Sequence, residues 1–171
     1  GSYYSNIEKI RKEFEYYQTK LQEFSCLNVV EIGCGPGFLA KSFTDMFYNY
    51  LGVDNSDDML DLARKRVPNG NFMKGDMRNL RIRQTFDAVL ITGKTFAHML
   101  TNADIFSCLE SVNRLLRPQG LLIFDCFNAT FLFTHFQSNV EDSFQVGPNN
   151  YKRFATNTPV LSTGVLVAER L

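Results

Sequence analysis

A short run rich in β-branched residues, Asn28-Val29-Val30-Glu31-Ile32, breaks off into three glycines within five residues, Gly33-Cys34-Gly35-Pro36-Gly37, and a helical pattern from Phe38 to Phe47 begins at once. A strand that is apolar on both faces must be covered on both faces, which points to a parallel sheet inside layers of helix. The glycines let the backbone turn sharply and come close to a ligand. They also aim the N-terminus of the following helix at it.

The alternation continues down the chain. Tyr50 to Asp54 predict a second strand, and Asn55 or Ser56 can cap a helix through Val67 with Met59, Leu60, Leu62 and Ala63 inward. Pro68 and Gly70 stop it, and Asn71-Phe72-Met73 form a brief third strand. Phe86 to Ile91 are the fourth. A helix from Asp104 to Leu116 follows, with Ile105, Leu109, Val112 and Leu116 on one face; Arg117-Pro118-Gln119-Gly120 ends it, and Leu121 to Phe127 are the fifth strand. Ahead of all this, Ile7, Ile10, Phe14, Tyr17, Leu21 and Phe24 recur at helical spacing. The expected fold class is α/β: a doubly wound, mostly parallel, Rossmann-like sheet with helices on both faces. Residues 1–27 form an N-terminal lid or cap helix (Gly1-Ser2 has the look of a tag remnant), 28–128 the core, and 129–171 an insert or flap. Tyr151–Thr156 and Gly164–Glu169 read as antiparallel strands in that last segment.

Charge and composition narrow the function classes. Lys and Arg number 18 and so do Asp and Glu, so no global field holds a polyanion, and a dedicated nucleic-acid binder is disfavoured. The cluster Lys74, Arg78, Arg81 and Arg83 reads as a solvated loop. No run of about 18 apolar residues suggests a membrane span. Cys26, Cys34, Cys108 and Cys126 lie far apart, which argues against a zinc site or disulfide framework, so no metal is expected and a reducing cytoplasm is.

In a doubly wound sheet, ligands bind beyond the carboxyl ends of the strands, and the chemistry-bearing residues fall there. Phe38 stands where a dinucleotide fingerprint wants its third glycine, and no Gly-Lys-Ser/Thr follows, so phosphate binding and a nicotinamide-dependent oxidoreductase are disfavoured. Glu31 would repel a pyrophosphate and welcome an ammonium group; otherwise it is a solvated strand-end charge. Asp54 lies roughly 20 residues past the first glycine, where a carboxylate can accept both ribose hydroxyls, or it caps the next helix. Asp76 can accept from the exocyclic amine of adenine with Met77 against the ring, or it forms an ordinary Asx turn. Together these describe a ligand with a ribose, an adenine, a cationic tail and no phosphate, which fits S-adenosylmethionine.

At this point the sequence resembles the class I S-adenosylmethionine-dependent methyltransferases. The matching blocks are Val29 to Gly37, Gly52 to Leu60, Gly75-Asp76-Met77, Phe86 to Leu90 and Leu115 to Asp125. Among them it looks most like the enzymes that act on sugar amines and small metabolites, which carry a polar loop ending in a histidine after strand four, here Thr92 to His98. The resemblance implies methyl transfer to nitrogen or oxygen of a small molecule. It implies that Glu31 contacts the methionine ammonium through its side chain or a water and that Gly33, Gly35 and Gly37 admit the methionine end. Asp54, Asn55 and Met59 would hold the ribose and adenine side, Asp76 and Met77 the adenine, and Thr92 the sulfonium. His98 is the candidate for orienting or deprotonating the acceptor, since imidazole titrates near neutrality; the plainer role is a loop histidine bonded to backbone. Phe127 and Phe131 would line the acceptor pocket, or fill core. Tyr3 and Tyr4 would close over the cofactor. A homodimer through the C-terminal strands is the expected assembly, and a non-catalytic S-adenosylmethionine-binding module is the alternative. The family fold ends in two further strands, expected beyond Leu171 unless Tyr151–Glu169 supplies them.

Overall fold

The computed structural model describes residues 7–146, 148–160 and 165–170. The chain divides into two compact units, Ile10–Cys126 and a second one made of Gly1–Lys9 with Phe127–Leu171. Helix α1 (Ile7–Glu23) leads into the larger unit. There follow β1 (Asn28–Ile32), α2 (Phe38–Asp45), β2 (Asn49–Asp54), α3 (Asp57–Arg66), β3 (Asn71–Lys74), β4 (Phe86–Ile91), one 3-10 turn (Thr95–His98), α4 (Asn102–Leu115) and β5 (Leu116–Phe124).

The strands lie in the order β3-β2-β1-β4-β5, every neighbouring pair parallel. The chain therefore winds one way from β1 to β3 and the other way from β4 to β5. Right-handed crossovers then put α2 and α4 on opposite faces. Side chains alternate accordingly. Val29 of β1 and Ala88 and Leu90 of β4 join a core with Phe14, Tyr17 and Leu21 of α1 and Leu39, Ala40 and Phe43 of α2. Val30, Ile32, Val89 and Ile91 join the opposite core with Cys108, Val112 and Leu115 of α4. Phe43 anchors the first core: it is fully buried, stacks on Tyr50 with ring centroids 5.5 Å apart, and meets Phe14 edge-on at 5.0 Å.

Several expected faces and ends are corrected. The buried residues of α4 are Cys108, Ser111, Val112 and Leu115; Leu109 is exposed. The stripe is turned about one position from the expected one, with Cys108, Val112 and Leu115 packed in the core of Val89 and Ile91, and the helix starts earlier, where Thr101 accepts the Asp104 N–H. In α3 only Leu60 and Ala63 are buried, while Met59 and Leu62 face outward. Phe24 is exposed because α1 stops at Glu23 and Ser25 turns with φ 55°.

Leu116 and Arg117-Pro118-Gln119-Gly120 belong to β5 rather than to a helix end and turn. Leu116 pairs with Phe86, the register shifts before Ala88, and Gln119 takes φ 62°. β5 lies at the outer end of the sheet among the described residues, a position where proline is tolerated.

The second unit holds α5 (Ala129–Thr134) and an antiparallel sheet in the order β6-β7-β8, with β6 at Asn139–Val146, β7 at Asn149–Val160 and β8 at Val165–Arg170. Two of these strands are legible in the sequence. The third, β6, lies in a polar stretch and forms because β7 pairs along its whole length, with Lys152 bridging to Glu141 at 3.1 Å. No described helix is long and apolar enough to cross a membrane. The expected lid residues Tyr3 and Tyr4 lie outside the described residues.

Candidate functional site

The carboxyl ends of β1 to β4 meet around a cavity of about 440 Å³, a size suited to a small organic ligand. Gly33 lines it after β1, and Asp54, Asn55 and Ser56 line it after β2. Gly75, Asp76, Met77 and Arg78 follow β3; Thr95, His98 and Met99 follow β4.

The glycine loop is shaped for close approach. Gly33 has φ 77°, and a Cβ there would sit 2.4 Å from the Thr95 side chain. Gly35 and Gly37 also take left-handed conformations, with φ of 52° and 73°. The Gly35 N–H donates to Asp54 Oδ2 at 2.8 Å, and Ser56 N–H donates to Asp54 Oδ1 at 2.9 Å. Asp54 thus ties the loop after β1 to the end of β2. Each oxygen carries one of these bonds, which leaves each a further acceptor position for a ligand hydroxyl. The helix cap is Ser56, whose Oγ accepts the Met59 N–H at 3.3 Å. Met59 itself is half-exposed on the first turn of α3.

Asp76 is more heavily engaged. Its Oδ1 accepts the Arg78 backbone N–H at 2.9 Å, and its carboxylate takes the guanidinium through Nε and Nη2 at 3.0 and 2.5 Å. The Arg78 guanidinium bonds hold the Asp76 carboxyl below its ordinary range. A second arm of Arg78 reaches Asp104 at the start of α4, 3.1 Å away. Arg78 is thus an exposed residue that also lines the cavity, and Lys74, exposed as well, pairs with Asp57. Only Arg81 and Arg83 of that expected cluster are exposed without such a role. The Asp-x-Arg spacing over a strand-end turn is the signal that could have found this fork.

Glu31 is held by two hydroxyls next to the cavity-lining Ile32 and Gly33. It is 2% exposed, beneath the cavity rather than in its lining. Its Oε2 accepts from the Tyr50 hydroxyl at 2.5 Å and its Oε1 from the Thr92 hydroxyl at 2.6 Å. Thr92, expected at the sulfonium, is likewise buried, and its carbonyl accepts the Thr95 N–H at 3.1 Å. Burial pushes the Glu31 carboxyl above its ordinary value of 4.5, outweighing the two hydroxyl bonds that favour the anion. A carboxyl whose folded pKa is raised contributes stability at low pH that is lost as pH rises through the folded value. The stability of Glu31→Gln relative to the unaltered protein should therefore climb as pH increases above about 4.5. Urea midpoints at a series of pH values test this, and a pH-independent difference would count against it.

The structure thus brings Gly33, Asp54, Asn55, Asp76, Met77 and His98 to one cavity. Glu31 and Thr92 support it from below. Phe127 and Phe131 are exposed on the second unit, where Phe131 stacks on His135 at 4.3 Å. Sequence reasoning missed Thr95 and Met99 as lining residues, since nothing local marks them.

Comparison with known proteins bears on this geometry. Residues 29–120, more than half of the chain, match a family model described as a methyltransferase domain. A dTDP-3-amino-3,4,6-trideoxy-alpha-D-glucopyranose N,N-dimethyltransferase from Streptomyces venezuelae is 30% identical over 96 residues, covering 56% of this chain and 40% of that protein. A putative methyltransferase from Bacillus subtilis is 30% identical over 101 residues, covering 57% of this chain and 41% of the relative. The chain spans about two fifths of the length of these curated relatives. Among solved structures, a sugar N-methyltransferase from Streptoalloteichus superposes with TM-score 0.78 at 16% identity, over 95% of this chain and 72% of the other. An amino pentose methyltransferase from Micromonospora echinaspora with S-adenosylmethionine bound gives 0.76 at 19%, over 95% and 75%. At such identities the likeness is one of fold. The sequence match runs from β1 into β5 and takes in all four strand ends around the cavity, so the chain belongs to the methyltransferase domain family.

Proposed function

We propose that this chain is the S-adenosylmethionine-binding part of a methyltransferase that modifies nitrogen or oxygen of a small metabolite, an amino sugar being the favoured acceptor class. The observation that carries the reading is that Asp54 and Asp76, from two successive strand ends, face one cavity beside the bare backbone of Gly33. The donor set fits the cofactor. Asp54 keeps acceptor positions for ribose hydroxyls, Asn55 and Met77 line the same cavity for the adenine, and the Gly33 backbone lines it for the methionine end. Asp76 would share its carboxylate between Arg78 and the adenine amine.

When bound, the cofactor supplies an electrophilic methyl on sulfur, so positioning and exclusion of water are most of what the protein must provide. His98 lines the cavity and is the residue that would orient an amine or hydroxyl, or take its proton. Acceptor binding by Phe127 and Phe131, a homodimer through the C-terminal strands and a cytoplasmic setting belong to the same proposal. The names of the curated relatives support the acceptor class, and the open outer edges of β6 and β8 among the described residues support the assembly.

Titration calorimetry with S-adenosylhomocysteine tests the reading. Heat of binding in the micromolar range is expected, with none for NAD. Absence of heat with both S-adenosylhomocysteine and S-adenosylmethionine would overturn it. Methyl transfer to a panel of amino sugars then separates an enzyme from a silent binding module.

A further inference from the structure

The glycine loop and the strand-end acids leave one conspicuous pair unused, Lys94 and Asp125. Asp125 follows the last residue of β5, and its own N–H donates to the Ile91 carbonyl at 3.1 Å, which fixes its backbone to the end of β4. Both carboxylate oxygens then go to a single residue. Oδ1 accepts the Lys94 backbone N–H at 2.7 Å, and Oδ2 accepts Lys94 Nζ at 2.7 Å. Charge-assisted bonds of this length are the strong class. The pair is partly shielded, with side-chain exposures of 35% for Lys94 and 28% for Asp125.

What this grip holds is a segment with little cohesion of its own. Lys94 takes the left-handed conformation, φ 68° and ψ 16°, directly after Gly93 at φ 65°. A lysine adopts that region only when its surroundings impose it. It opens a 3-10 turn of four residues, too short to persist alone. Yet that turn carries Thr95 and His98 into the cavity, and Thr95 covers Gly33. A second tie runs in parallel: the Phe96 ring lies 4.8 Å from the Phe124 ring, between the same turn and the same strand end.

We propose that Asp125 is a positioning residue, which by gripping Lys94 at two points sets the cavity wall formed by Thr95, His98 and Met99. Its effect on ligand binding rests on the methyltransferase reading above. Its effect on the loop does not.

The test uses Asp125→Ala and Lys94→Gly in the whole chain. Lys94→Gly loses the ammonium but keeps the backbone donor and accepts the left-handed conformation without strain. Amide hydrogen exchange is measured first, without ligand. Asp125→Ala should speed exchange at Thr95, Ala97 and Met99, whose N–H groups close the turn, while β1 and β2 stay protected. Lys94→Gly should speed exchange at the same amides by less, since it removes one of the two bonds and keeps the other. In calorimetry, Asp125→Ala should weaken S-adenosylhomocysteine about tenfold, and Lys94→Gly by less than about threefold. Unchanged exchange of the turn in Asp125→Ala would overturn the proposal. So would equal damage from both variants, or loss of protection spread evenly over the core strands, which would mark a general structural role. Should the unaltered chain bind no S-adenosylhomocysteine, the methyltransferase reading falls, and the ligand-free exchange still decides the grip.

Discussion

Replacing Asp54 with alanine should weaken S-adenosylhomocysteine binding about a hundredfold, and it should lower the urea midpoint too, because its two backbone bonds also hold the ligand-free fold. A carboxylate that accepts two backbone N–H bonds and offers its remaining lone pairs to ligand hydroxyls loses several charge-assisted bonds at once, each about 1.5–3 kcal/mol when the partner is left unpaired. In this protein the loss has two parts. The ligand loses its acceptors, and the Gly35 N–H loses its anchor on β2, so the loop after β1 loses its tie to the neighbouring strand end. Asp54→Asn should not rescue binding. Its amide group would face either the Gly35 or the Ser56 N–H donor to donor, since both oxygens of the native side chain accept. Calorimetry on both variants beside the unaltered protein measures this, and near-native affinity in Asp54→Ala would remove Asp54 from the site.

The second large effect is expected at Gly33. Gly33→Ala should destabilise the fold by about 2–5 kcal/mol, as the sum of left-handed strain and overpacking. The strain follows from φ 77°, and the overpacking from a Cβ placed 2.4 Å from both Oγ1 and Cγ2 of Thr95. The two causes separate in a double-mutant cycle. Thr95→Gly removes the clash but not the strain, so the double variant should recover about 1–3 kcal/mol of coupling. A cost of about 1–2 kcal/mol should remain. Urea unfolding of the four proteins reads the cycle. Zero coupling would mean that Thr95 swings away freely, which would also argue against a held turn at Thr95–His98.

The doubly wound sheet was legible because burial on both faces leaves a strong trace. Val29, Val30 and Ile32 of β1 and Ala88 to Ile91 of β4 are apolar on both faces, and β4 spans Phe86–Ile91 as the pattern predicts. The strand-end acids were legible for a related reason: Asp54 ends β2 and Asp76 follows β3 by two residues, at a point where topology brings loops together. Helix phase was less legible. The buried stripe of α4 is set by packing of Cys108, Val112 and Leu115 against Val30, Val89 and Ile91, a tertiary choice among faces that the local pattern leaves open. The start of β5 hid behind Pro118 and Gly120, which look like a turn until β4 and the Arg117–Asp87 bridge at 2.6 Å hold them as an irregular edge strand.

The sequence by itself determined the order of strands and helices, the glycine loop and the identity of the acids, since each is written in local period, spacing and residue type. Only the tertiary structure decided which acid faces the cavity. Glu31 lies two residues from the first glycine, yet strand pairing turns it under the sheet end toward Tyr50 and Thr92, while Arg78 turns in to cover Asp76. Partners that are 19 and 61 residues away in the chain are set by strand register and not by local pattern. A one-residue slip in that register would exchange every inward and outward side chain.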